Sequence, residues 1–173
     1  MSDDANTFFV DLPPVKAVTS TTKMTPDEMV AFNLEHSRRF MEGEIDEIMN
    51  HSLIEHPVYE FYPSRIRVSG REAVRRYHEI EHKRTIAQID SRNGGDTREF
   101  YAVAFGENTF IAEFSSMMNL PDGRYKRCYI NAVVPFADGK MTGERVWMDH
   151  DLAQWFESVL DESFFALSGV ERF

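Results

Sequence analysis

Four apolar runs after residue 97, each separated from the next by a turn signal, limit most strongly what this chain can fold into. "REFYAVAF" is followed by Gly106-Glu107-Asn108, "TFIAEFSSMMNL" by Pro121-Asp122-Gly123, and "RYKRCYINAVVPF" by Asp138-Gly139, before "KMTGERVWMD" ends the series. Asp-Gly between apolar runs is the strongest short-range hairpin signal. The second half is therefore predicted to be an antiparallel meander of about four long strands, closed by a helix from Asp151 to about Leu160.

The first half has a different period. Thr25-Pro26-Asp27-Glu28 combines an N-cap, a proline at the first helical position and acidic residues in the first turn. Met29, Phe32, His36 and Phe40 then recur on one helical face until Gly43 stops the helix. "EIDEIMNHS" reads as a short second helix. "PVYEFYPSRIRVSG" is kept extended by Pro57 and Pro63. Ser69-Gly70-Arg71-Glu72 opens a third helix to about Arg84. Helices first and strands afterwards predict an α+β domain whose helices cover one face of a curved sheet. The expected boundaries are an N-terminal extension over 1–23, in which Phe8, Phe9 and Val10 are candidates for pinning to the domain or to a second subunit, a domain over 24–160, and a C-terminal tail over 161–173.

Charge narrows the partners. With 29 acidic against 19 basic residues, the formal net charge is −10, whereas nucleic acid and anionic membrane both require a basic footprint. No apolar run is long enough to span a bilayer, and "MSDDANTFFVDLPP" lacks the basic-then-apolar pattern of a secretory signal. The single cysteine, Cys128, rules out an internal disulfide framework. A cytoplasmic protein is expected, with no nucleic-acid or membrane partner.

One short motif points to a metal. His78-Glu79-Ile80-Glu81-His82 spells H-E-x-x-H, which on a helix sets two imidazoles one turn apart for zinc. On a wheel of about 100° per residue, Ala73, Val74, Tyr77 and Ile80 share the core-facing arc. His78 and His82 fall toward the solvent flank. Thr85 and Gln88 stand where an extended zinc motif needs Gly and His, and Glu99 is a distant carboxylate at a strand start. The expectation is a solvated charged face, with no metal site and no zinc protease.

Alternation points to a cavity instead. Cys128, Ile130, Ala132, Val134 and Phe136 form one purely apolar strand face, a reasonable cavity wall. On the last strand Arg145, Trp147 and Asp149 share one face, and Glu144, Val146 and Met148 the other. A carboxylate beside an aromatic at a cavity mouth loses solvation, and its pKa rises. Asp149 and Asp151 both suit the N-cap of the last helix. Gln154 stands three residues after Asp151 and favours it, which frees Asp149.

The order of these elements, with "RFMEGEIDEIM", "SGREAVRRY" and "FADGKMTGERVWMD", resembles the nuclear-transport-factor-2-like superfamily over roughly residues 25–160. That group includes SnoaL-like polyketide cyclases, ketosteroid isomerase, limonene epoxide hydrolase and scytalone dehydratase. The resemblance implies a cystatin-like α+β barrel: a cone of curved antiparallel sheet, three N-terminal helices closing it, a C-terminal helix, a pocket at the open end, and a homodimer through the sheet. "TPDEMVAFNLEHSRRFMEGEIDEI" is similar to the first helices of ketosteroid isomerase and sets His36 at its oxyanion-donating tyrosine. "EHPV" looks like that enzyme's "EDPV" and sets His56 at its catalytic base. Ala132 stands where that enzyme has a protonated aspartate. The acid–base aspartate at a strand end in SnoaL-like cyclases matches Asp149. The Arg-and-Asp pair of limonene epoxide hydrolase has no clear match. The resemblance thus implies a cofactor-independent lyase- or isomerase-type enzyme acting on a small apolar carbonyl or cyclic compound. Asp149, His56 and His36 would be its catalytic groups, and Tyr59, Tyr101, Cys128, Ala132 and Trp147 would line the pocket. The alternatives for His36 and for the aromatics are core packing; for the whole chain, a non-catalytic ligand-binding protein or a dimeric interaction module.

Overall fold

The computed structural model describes residues 23–90 and 97–173; the extension bearing Phe8, Phe9 and Val10 lies outside them. Helix α1 (Pro26–Glu42) begins as its sequence dictates. The Glu28 N–H donates to the Thr25 hydroxyl, and the Thr25 N–H donates to the Glu28 carboxylate at 2.7 Å, a complete capping box. It ends at Gly43, which sits in the left-handed region at φ 74°. The expected short second helix is one turn of α-helix, α2 (Ile45–Glu47), continuing into a π-helical turn over Ile48–Ser52.

Strands β1 (Leu53–Tyr62) and β2 (Ile66–Ser69) form a hairpin, and α3 (Arg71–Asp90) follows. The predicted meander is present as β3 (Glu99–Gly106), β4 (Thr109–Asn119), β5 (Tyr125–Ala137) and β6 (Lys140–Met148). Asp138 and Gly139, which join β5 to β6, both have positive φ, the geometry for which Asp-Gly is selected in two-residue hairpins. Helices α4 (His150–Val159) and α5 (Glu162–Phe165) and strand β7 (Val170–Arg172) complete the chain.

All strands belong to one open, curved sheet of seven, in the order β3-β4-β5-β6-β1-β2-β7. The fold is α+β, as expected, with two corrections. The sheet is not wholly antiparallel, because β1 runs parallel to β6; the two are far apart in sequence, and the chain crosses over between them. Gly143 lets them approach: its φ is +125°, and a Cβ there would stand 1.8 Å from the Val58 carbonyl oxygen. Residues 161–173, expected as a tail, instead extend the sheet. Phe164 is fully buried, Asp161 caps α5, and the Ser69 N–H donates to the Gly169 carbonyl at 2.7 Å.

The core lies between the inner face of the sheet and the helices. Tyr59, Phe61, Ile66, Val68, Phe136 and Met141 meet Met29, Ile48, Met49, Ala73, Val74 and Phe164, each large side chain worth about 1.5–3 kcal/mol on burial. On α3, Ala73, Val74 and Tyr77 are buried as the wheel predicts. His78 is buried too, at 2% exposure, against expectation. Its flank is covered by α1, whose His36 and Phe40 rings meet it edge-on at 6.1 and 6.4 Å. Among the described residues, no helix is long and apolar enough to cross a membrane.

Candidate functional site

The helical layer and the sheet do not meet everywhere. They enclose a cavity of about 310 Å³, at the small end of the range for organic ligands. Phe40 and Met41 of α1, Phe114 and Met118 of β4, Ile130 and Ala132 of β5, Val146 and Met148 of β6, and Leu152, Trp155 and Val159 of α4 give it apolar walls.

Into this apolar space project His36, Tyr59, Tyr77, His78, Glu81 and Glu144. Strand alternation sends Glu144 inward with Val146 and Met148. The parallel register places it beside Tyr59 on β1. Glu81 follows Tyr77 by one helical turn and shares its face.

Their ionisation follows from burial. Desolvation, reinforced by the Glu81 charge, pushes the Glu144 carboxyl up to about 8. Desolvation pushes Glu81 up to about 7, opposed by the Tyr77 hydroxyl. The accessible surface that these carboxyls keep borders the cavity. Among the described residues no cation compensates either one. The Tyr59 and Tyr77 phenols are raised first by burial and then by the two carboxylates, so they remain protonated donors.

The two imidazoles are held neutral. Burial draws His36 down to about 3, helped by repulsion from His78 and Arg39. Burial draws His78 down to about 4, although its bond to Val74 opposes this. His78 Nδ1 lies 2.8 Å from the Val74 carbonyl oxygen. A carbonyl only accepts, so Nδ1 carries the proton and Nε2 keeps its lone pair. The Tyr59 hydroxyl stands 3.5 Å from that Nε2, long for a hydrogen bond. His36 Nδ1 is buried and has no hydrogen-bond partner among the described residues. Such an atom costs about 1–3 kcal/mol while it stays unsatisfied.

The H-E-x-x-H histidines diverge. His78 faces the cavity, whereas His82 donates from Nδ1 to the Phe40 carbonyl at 2.7 Å and packs against Gly43. Glu79 pairs with Arg76 at 3.3 Å. Among the described residues, no cluster of three or more His, Cys, Asp or Glu is arranged to hold a metal ion. The solvated face expected here is half right: Lys83 is exposed, but His78 is not.

No protein-family model matches the sequence, and no curated protein matches it. Solved structures do. An NTF2-like protein of unknown function from Burkholderia pseudomallei K96243 superposes with a TM-score of 0.56 and 10% identity, over 77% of this chain and 98% of that one. A de novo designed NTF2 fold protein gives 0.55 and 14% identity, over 80% and 97%. A bacterial protein with a cystatin-like fold from Silicibacter pomeroyi DSS-3 gives 0.57 and 10% identity, over 80% and 92%. The chain has the NTF2-like fold. At these identities the likeness concerns the fold alone, and the chemistry must be read from this chain's own residues.

Of the candidate residues, His36, Tyr59 and Ala132 line the cavity. The other expected residues do not. Asp149, not Asp151, is the N-cap of α4: its carboxylate accepts from the Leu152 and Tyr129 N–H groups, both at 3.0 Å. Asp151 instead pairs with Arg124 and Lys126. His56 is exposed, beside a shallow surface dent with Val58 and Gly70. The register shift between Leu53 and Val58 interrupts the alternation that would have predicted its direction. Tyr101 and Trp147 lie on the outer face of the sheet. Tyr101 bonds the Ser115 hydroxyl at 2.7 Å, and Trp147 stacks on Tyr62 with ring centroids 5.0 Å apart. Cys128 is buried away from the cavity in a small cluster with Leu120 and Leu152, and burial pushes its thiol up to about 11.

Four cavity residues, Tyr77, His78, Glu81 and Glu144, escape the expected set. Two left a sign in the sequence. On α3, Glu81 falls about 40° from Tyr77, inside the apolar arc. On β6, Glu144 shares the more apolar face. A charged residue on a core-facing stripe has no cheap structural explanation.

Proposed function

We propose that the NTF2-like cavity takes up a small, mainly apolar organic molecule and that the Glu81–Glu144 pair moves a proton on it without a cofactor. One observation carries this reading: two carboxyls border the same apolar cavity, and among the described residues no cation pairs with either. Such a pair is costly to bury, and groups with these displaced pKa values cluster at functional sites.

The chemistry follows from two like charges in one low-dielectric space. The pair gives up its protons in two separated steps. Between them one carboxylate and one carboxylic acid coexist, a base and an acid in one cavity. For a carbonyl compound, the Glu81 carboxylate takes a proton from the carbon next to the carbonyl. The C–H electron pair becomes the new carbon–carbon double bond, and the carbonyl π pair moves onto oxygen. Glu144 hydrogen-bonds that oxygen, and the Tyr59 and Tyr77 hydroxyls are further donors. Return of the same proton from Glu81 to another carbon gives an isomer, with nothing consumed. From the same intermediate, a β-hydroxyl that takes the Glu81 proton and leaves as water gives dehydration, and attack of the enolate carbon on a second carbonyl, whose oxygen takes that proton, gives cyclisation.

The test is hydrogen–deuterium exchange at the α-carbon of 2-tetralone in D₂O, followed by NMR. The expected result is faster exchange with wild type than with buffer, and a loss of about 10²-fold or more in Glu81→Gln. Equal exchange by wild type and variant would remove the proton-transfer role. Binding without exchange would instead support a ligand-binding protein. A second copy is a further expected partner: Tyr101, Tyr129 and Trp147 stand 50, 52 and 40% exposed on the outer face of the sheet, a surface of the kind that homodimers of this fold cover.

A further inference from the structure

The cavity holds a cation that the acid–base reading leaves unused. Arg84 lines it from α3, one turn beyond Glu81, with its guanidinium over the Trp155 ring at 5.5 Å. Several arginines of this chain find carboxylates: Arg38 meets Glu35, Arg67 meets Glu60 and Glu171, and Arg172 meets Glu157. Arg84 has none among the described residues. Burial draws its pKa down, and Glu81 three residues earlier stays high, which an adjacent guanidinium would prevent. A partly buried guanidinium with its face on an indole and no carboxylate on its N–H fork among the described residues is set up for a planar anion.

The cavity lining carries two arginines against two carboxyls, unlike the acidic chain as a whole. The chain carries −10 overall. Within the cavity at neutral pH, His36 and His78 are uncharged and both carboxyls lie high. The cationic side chains on the lining are Arg84 and Arg98. Aliphatic and aromatic walls continue from Arg84 to the carboxyl pair. The three residues from Glu81 to Arg84 advance about 4.5 Å along the helix, so both anchoring points fit on one small molecule.

Resting on the cavity reading above, we propose that the ligand is an organic acid, whose carboxylate pairs with Arg84 beside Trp155 while its apolar body reaches Glu81 and Glu144. This names the substrate class: amphipathic carboxylic acids, bound in preference to neutral molecules of the same shape.

A matched pair of probes tests it. 2-Naphthylacetate and 2-naphthylacetamide have nearly the same shape and differ in charge, and calorimetry measures binding of each. Wild type is expected to bind the acid at least tenfold more tightly than the amide. Arg84→Gln is expected to reduce acid affinity to that of the amide. Comparable affinities of wild type for the two probes would overturn the proposal and leave the cavity reading standing. A preference for the acid that survives in Arg84→Gln would overturn it as well. Binding of neither probe would remove both readings. The wild-type comparison decides even if the variant does not fold.

Discussion

A carboxyl keeps its proton near neutrality when its anion would be poorly solvated, and Glu144 shows what that does to the molecule. Its pKa is raised from the ordinary 4.5 to about 8 by burial. Between those values the folded state holds a proton that the unfolded chain releases. The stability contributed is therefore complete below about pH 4.5 and is lost as pH rises through about 8. The histidines run the other way. His36 and His78, depressed from 6.5 to about 3 and about 4, contribute stability above about pH 6.5 that is lost as pH falls through those lower values. Glu144→Gln isolates the carboxyl. The variant should unfold at higher temperature than wild type at about pH 8.5, and the gap should close toward about pH 5. Each tenfold change in acid constant corresponds to about 1.4 kcal/mol, and a gain of at least that size is expected at the upper end. Parallel melting curves across the range would mean that Glu144 titrates as an ordinary surface acid.

Elements decide which of two similar residues does which job. Asp149 and Asp151 stand two apart at the head of α4, and either suits a cap by composition. Pairing of β6 with β5 runs on until the Asp149 N–H donates to the Tyr129 carbonyl, so Asp149 is the last extended residue and takes the cap position. Asp149→Ala removes an acceptor for two backbone N–H groups and should cost about 1–2 kcal/mol in denaturant unfolding, with naphthylacetate affinity unchanged. Asp151→Ala touches solvent-screened ion pairs and should cost less than Asp149→Ala. Equal losses would contradict this assignment. Helix α3 carries a related lesson. A wheel assumes one covered face, but α3 packs against the sheet through Tyr77 and against α1 through His78 and His82, so its buried arc is wider than its apolar residues suggest.

For the whole molecule, one sheet face is spent on core and cavity, and the other is open. That outer face mixes stacked aromatics, Tyr101 on Tyr129 and Tyr62 on Trp147, with the Arg145–Glu60–Arg67 charge chain. Exposed aromatics set among paired charges are the usual makeup of a protein interface. Tyr129→Glu combined with Trp147→Glu should convert a dimer to a monomer in light scattering and leave the melting temperature of the folded unit nearly unchanged. A monomeric wild type would end the dimer reading, and neither the cavity nor its carboxyl pair depends on it.

The sequence by itself determined what local chemistry controls: where α1 starts and stops, the hairpin turns at Asn108 and Asp138-Gly139, the two faces of each strand, and the α+β order. Caps, left-handed turn positions and alternation act over a few residues, so they can be read one segment at a time. Only the tertiary structure decided which strand face looks inward, that β1 lies parallel to β6, and that Glu81 and Glu144 share one apolar space while Asp149 and His56 do not. The ionisation of a carboxyl depends on what covers it. That cover comes from segments distant in sequence, whose approach no local pattern records.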